Sequence, residues 1–176
     1  MELKNDKVIL RQTKSADIDD YKRWSTTDTE WQLWDAPWET EDDASEFVEW
    51  RKSLVSNPTD TTLEIDTVDG KHIGWVNTYF IDDEKTMLGV GLDIPEVSNR
   101  GCGYGFAALT LFLDHLFKTH EHLYTQTWSG NVRMVALADK MGWQLIDKKV
   151  GIREVRGGTY DALTWKMSKS HSAGKR

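Results

Sequence analysis

Apolar positions along the chain alternate between two spacings, and each change of spacing marks a new element. Val8-Ile9-Leu10-Arg11 is a short apolar run that predicts a strand. Ser15 then reads as an N-cap for a helix with Ile18, Tyr21 and Trp24 on one face. Thr40 to Asp43 reads as a capping box opening a helix that carries Phe47, Trp50, Leu54 and Val55. Strands are predicted over Thr61–Val68 and Ile73–Phe80, joined by a tight turn at Asp69-Gly70. A third run, Met87 to Ile94, stops at Pro95. Helical spacing returns over Tyr104–Lys118, with Phe106, Leu109, Leu113, Leu116 and Phe117 as its buried stripe. Leu123–Trp128 predicts a strand, and Asn131–Met141 a helix closed by Gly142. Gln144–Val150 and Tyr160–Met167 predict a last hairpin around Gly157-Gly158. Antiparallel strands come first, then strand–helix–strand–helix–strand. That order predicts an α/β fold, a mixed central sheet with helices on both faces.

A chain of 176 residues suits one domain with a real core, expected over 1–167, followed by a disordered polar tail over 168–176. No run approaches the roughly 18 apolar residues of a membrane span, and the first residues lack the basic-then-apolar order of a signal peptide. One cysteine, Cys102, excludes an internal disulfide. A cytoplasmic protein is expected. Charge is uneven: 23 acidic and 10 basic residues lie in 1–98, against 6 acidic and 12 basic in 99–176. A basic half suits a polyphosphate ligand and an acidic half a cationic second substrate, with ordinary surface scatter as the bland reading. Overall acidity speaks against nucleic acid as a partner.

The most informative stretch is Asn99-Arg100-Gly101-Cys102-Gly103-Tyr104-Gly105-Phe106. It follows a strand and opens a helix, so bare backbone N–H groups can converge where the helix dipole favours an anion. A Walker loop needs Gly-Lys-Ser/Thr after its glycines, but Phe106 and Ala107 follow Gly105 here. A dinucleotide fingerprint needs G-x-G-x-x-G near the first strand, but this spacing is G-x-G-x-G and lies past mid-chain. A plain turn before a helix is the remaining rival for the loop alone.

The loop has a companion. Asn131 to Trp143 begins 26 residues after Gly105 and closes with Lys140-Met141-Gly142-Trp143. With Arg100-Gly101-Cys102-Gly103-Tyr104-Gly105 matching a Q/R-x-x-G-x-G/A motif, the chain resembles the GNAT superfamily of N-acetyltransferases from about Val8 to Met167. Its layout is most similar to the ribosomal-protein alanine N-acetyltransferase branch. The resemblance implies a mixed sheet with a splayed parallel pair and acetyl-CoA as cosubstrate. It further implies that Gly101, Cys102, Gly103, Tyr104 and Gly105 hold the diphosphate, with Arg100 adding charge. Leu92, Asp93 and Ile94 would pair with the pantetheine arm like an added strand, Pro95 ending that pairing. Asn131 would orient the pantetheine or acetyl end.

Relatives carry a tyrosine seven positions, or a serine three positions, after that asparagine; Ala138 and Met134 stand there in this chain. The usual acid is therefore missing from both places. Asp93, through a water, and Glu96 are the candidate bases, each with a solvated strand end as its bland reading. Tyr160 is a candidate acid whose default is a strand aromatic. Cys102 has no adjacent base to activate it. No metal is expected.

Five of the nine tryptophans, Trp24, Trp31, Trp34, Trp38 and Trp50, fall within 27 residues and are interleaved with carboxylates. In the family this region borders the acceptor amine. Trp31, Trp34, Asp35 and Trp38 are the candidates for holding an ammonium, and core packing is the competing role. Pro37 favours a loop there. The expected activity is direct acetyl transfer from acetyl-CoA to a cationic amine: a protein N-terminus, a polyamine or an amine antibiotic. A non-catalytic acyl-CoA sensor on the same fold is the alternative. The expected partners are a small-molecule or peptide amine and, for assembly, a second copy in a homodimer; nucleic acid and membrane are not expected.

Overall fold

Among the described residues the chain forms eight strands, most of them short runs rich in β-branched and aromatic residues, and four α-helices with helical apolar spacing. The computed structural model describes residues 1–38 and 44–169. Its strands are β1 (Glu2–Lys4), β2 (Val8–Arg11), β3 (Thr62–Thr67), β4 (His72–Phe80), β5 (Leu88–Asp93), β6 (His122–Trp128), β7 (Gln144–Val155) and β8 (Gly158–Ser168). The helices are α1 (Ile18–Thr26), α2 (Ala44–Ser56), α3 (Tyr104–Leu116) and α4 (Val132–Met141). The sheet order is β1-β2-β3-β4-β5-β6-β8-β7. β5 and β6 run parallel, and their ladder registers at Gly89↔Tyr124, the one such pair among the described residues. The Thr125 hydroxyl donates to the Val90 carbonyl beside it at 2.9 Å.

The described residues cluster into two units. The first takes 1–33, 44–77 and 92–112. Its core holds Ile18, Tyr21, Trp24, Trp31, Val48 and Trp75, with Phe47 and Val55 packed against it. Polar groups are buried here as well. Arg11 is clamped between Asp17 and Asp66, its guanidinium donating to both carboxylates at 2.5–2.8 Å. Glu64, 0% exposed, accepts from the Thr13 and Tyr21 hydroxyls and lies 3.0 Å from His72 Nε2. The second unit takes 34–38, 78–91 and 113–169. It buries Leu113, Leu116, Phe117, Leu123, Trp128, Trp143, Leu163 and Trp165.

Several expectations need correction. Ser15 does not cap α1: a 3-10 turn over Ser15–Asp17 precedes it, because Asp17 is drawn to Arg11 and accepts from the Lys14 N–H at 2.7 Å. On α2, Trp50 is 45% exposed while Arg51 is 1% exposed, so the apolar stripe is rotated around an arginine that spacing assigned to solvent. Arg51 is accommodated because its guanidinium lies 4.4–4.5 Å from the ring centres of Tyr21, Trp50 and Trp75. Phe106 is exposed, unlike the other four members of its stripe. β1 has no hydrophobic signature and is held by pairing with β2. The last turn is Arg156-Gly157, both at positive φ, one residue earlier than expected. β7 accordingly runs on to Val155. Ser168 closes β8 rather than opening a tail. The Thr40–Asp43 capping box and residues 170–176 lie outside the described residues. No helix among the described residues is long and apolar enough to cross a membrane.

Candidate active site

In the first unit the chain leaves β5 at Asp93, passes the buried Pro95, and makes a 3-10 turn over Val97–Asn99. Gly101 and Gly103 then take φ of +74° and +83°, which a side chain disfavours. α3 begins at Tyr104. Its first cap bond runs from the Ala107 N–H to the Gly103 carbonyl at 3.0 Å. Upstream, the Arg100 N–H is taken by the Val97 carbonyl at 3.0 Å. Among the described residues, no protein oxygen accepts from the N–H groups of Gly101, Cys102, Gly103, Tyr104 or Gly105. The row sits at the positive end of a 13-residue helix, an arrangement that attracts an anion. A Cβ built on Gly101 meets nothing within 4 Å, and one on Gly103 meets only the Lys7 side chain, from 3.7 Å. Side chains at these glycines would therefore project into the cradle rather than into packed protein.

The loop is braced by the residue expected to add charge to it. The Arg100 guanidinium donates to the Ile94 carbonyl at 2.8 Å, to the Pro95 carbonyl at 2.6 Å and to Glu30 at 2.6 Å. It ties the end of β5 to the start of the loop. Glu96 is similarly engaged: Arg23 reaches one oxygen at 3.0 Å and Lys71 the other at 3.2 Å. Burial raises its proton affinity, but Arg23 and Lys71 outweigh that and hold the carboxyl below its ordinary value. A carboxylate so clamped is a weak base. Asp93 is partly buried at the end of β5. Its carbonyl lies where β4 has no side chain: a Cβ on Gly74 would stand 2.0 Å from the Asp93 oxygen. Trp31 belongs to the core of this unit, 9% exposed, with its indole N–H on the Trp24 carbonyl at 2.9 Å. Core packing, not an open face, is its position.

In the second unit a different cluster forms around Trp128, which is 1% exposed. Gly130 makes room for it, since a Cβ there would overlap the Trp128 ring at 1.8 Å. The Trp128 indole N–H donates to the Trp34 carbonyl at 2.9 Å. The Trp34 ring stacks on Trp128 at 6.5 Å and 17°, and Trp38 meets it edge-on at 6.3 Å. Between them Ala36 takes φ +40°, so the Asp35-Ala36-Pro37 turn brings both indoles to one partner. Asn131 caps α4 by accepting from the Met134 N–H at 3.3 Å, while its amide donates to the Trp34 carbonyl at 3.4 Å. Tyr160 sits edge-on to Trp128 at 4.8 Å. The indole faces already carry guanidinium groups. Arg133 and Arg156 lie 4.8 and 5.6 Å from the Trp34 ring centre, and Arg153 lies 4.1 Å from that of Trp38.

Sequence reasoning missed Lys7 beside the loop, Trp128 as the hub, and the three arginines. The first contact spans 95 residues and leaves no local signal. Trp128 carried one hint, the Gly130 two positions on. The described residues include no His/Cys/Asp/Glu group arranged to hold a metal.

A glycine loop feeding a helix N-terminus beside a mixed sheet defines an α/β fold with a place suited to an anion. Residues 7–144 match the model of the Acetyltransferase (GNAT) domain, and the chain belongs to that family of acetyltransferases. Among curated proteins none matches it in sequence. Solved structures do match in fold. A GNAT-family acetyltransferase from Bacillus anthracis superposes with a TM-score of 0.77 at 10% identity, over 97% of this chain and 99% of that one. Spermidine N-acetyltransferase from Vibrio cholerae, solved with CoA and spermine, gives 0.75 at 15% identity, over 97% and 100%. Ribosomal-protein-S5-alanine acetyltransferase from Vibrio fischeri gives 0.71 at 16%, over 96% of each.

Proposed function

We propose that the chain transfers the acetyl group of acetyl-CoA to a primary amine by direct attack in a ternary complex, within one acyl-CoA N-acyltransferase domain over 1–167. The observation that carries this is the row of unclaimed main-chain N–H groups from Gly101 to Gly105 at the head of α3. These would hold the diphosphate, and the main chain of Leu92, Asp93 and Ile94 would pair with the pantetheine arm. The neutral amine attacks the thioester carbonyl carbon, the C–S bond breaks, and the thiolate leaves. Asp93 takes the amine proton through a water, and the thiolate takes one back from solvent or Tyr160. Asn131 acts through Trp34, because both ends of its amide are engaged within the protein. The acceptor in this reading is a protein N-terminus, a polyamine or an amine antibiotic.

Following free thiol release with acetyl-CoA and a panel of amines tests the reaction. Turnover on at least one amine is expected, with an acidic limb in the pH–rate profile that flattens in Asp93→Asn. Tight CoA binding without turnover on any amine would instead favour the sensor. Gly103→Val is expected to lower the melting temperature, because a β-branched residue is strained at φ +83°, without unfolding the chain, and to weaken CoA binding by more than about tenfold. Unchanged affinity in that variant removes the cradle from the mechanism.

A further inference from the structure

The turn between β1 and β2 reaches across the sequence to the anion cradle. Asn5 organises it: its side-chain oxygen accepts from the Lys7 and Val8 N–H groups, both at 3.0 Å. The Asn5 amide donates in turn to the Ala107 carbonyl at 3.1 Å, in the first turn of α3 and 102 residues away. One side chain thus fixes the turn and anchors it to the helix that carries the cradle. The result is that the Lys7 ammonium stands 3.5 Å from the Cys102 carbonyl, and its terminal atoms lie 3.7 Å from where a Gly103 Cβ would be. Lys7 is exposed and forms no ion pair among the described residues.

We propose that Lys7 is a cofactor-binding residue whose ammonium contacts the diphosphate held by the Gly101–Gly105 N–H groups, and that Asn5 is the residue that positions it. This rests on the cradle reading above and extends it. Five neutral N–H donors and a helix dipole supply partial charges only. A diphosphate brings two full negative charges, and Arg100, the nearest arginine in sequence, is spent on Glu30 and two carbonyls. Lys7 is the full positive charge with the geometry to serve. A flexible lysine stem also lets the ammonium leave its weak 3.5 Å contact for a phosphate oxygen.

Titration calorimetry on Lys7→Ala with CoA, 3′-dephospho-CoA and phosphate-free pantetheine tests this. About a tenfold loss of affinity is expected for CoA and for 3′-dephospho-CoA alike, and none for pantetheine. Lys7→Arg should recover most of the loss. Raising the salt should weaken wild-type binding more steeply than Lys7→Ala binding. Asn5→Ala should weaken CoA binding less than Lys7→Ala, and should add nothing in the Lys7→Ala background. Wild-type affinity in Lys7→Ala, with affinity lost in Gly103→Val, overturns the assignment of Lys7 and leaves the cradle standing. Wild-type affinity in both overturns the cradle itself. A loss seen with CoA but not with 3′-dephospho-CoA overturns the diphosphate as the partner of Lys7.

Discussion

The two units hold their arginines in opposite ways. In the first, Arg11 is buried between two carboxylates, and Arg51 is enclosed by rings with Glu64 4.0 Å from its Nη1. In the second, Arg133 and Arg156 are exposed and lie 4.8 and 5.6 Å from the Trp34 ring centre. A buried guanidinium is fixed by its partners, and each partner depends on it. One lying against a ring at the surface stays in contact with solvent, so less of its interaction energy depends on a fixed position. The first arrangement makes a rigid frame for a main-chain cradle. The second makes a surface on which cations lie over aromatic rings.

Removing the guanidinium from each unit is the strongest way to break this contrast. Arg11→Ala strands Asp17 and Asp66 and is expected to cost about 3–5 kcal/mol in urea unfolding. A cost below about 1 kcal/mol would erase the distinction. The pH dependence comes next. Burial disfavours the charged form of His72, but Asp20 and Glu64 outweigh it and push the imidazole up to about 9. Its contribution, on the order of a few kcal/mol, is complete below its ordinary value and is lost as the pH rises through about 9. His72 and Arg11 hold Asp20 and Asp17 below their ordinary values, so their contribution is present at neutral pH and fades as acid protonates them. Thermal melts across pH should therefore fall off on both sides, and His72→Gln should flatten the alkaline limb. Arg133→Ala is the smallest effect, under about 1 kcal/mol, because the group removed is exposed at the surface.

The glycine loop was legible because its chemistry is main-chain chemistry. Gly101 and Gly103 announce positive φ, and the apolar stripe after Tyr104 announces the helix whose end points at them. Asn131 and Gly142 were legible for the same reason, as cap and stop of α4. The placement of the tryptophans was not. Trp31, Trp34 and Trp38 look equivalent in sequence, yet Trp31 bonds to Trp24 in one unit while the other two gather on Trp128 in the other. Nothing local separates them, because the difference lies in partners up to 94 residues away. Arg51 was illegible for a related reason: local spacing does not place a charged residue in the core, and it takes the surrounding rings together with Glu64 to make its burial tolerable.

Gly74 carries a consequence for how this chain can drift. The Asp93 oxygen occupies the space any larger residue at 74 would need, so each substitution there must push the end of β5 outward. The position of the Asp93 main chain is thus governed by a hydrogen atom on the neighbouring strand. A single methyl group at residue 74 is enough to displace it.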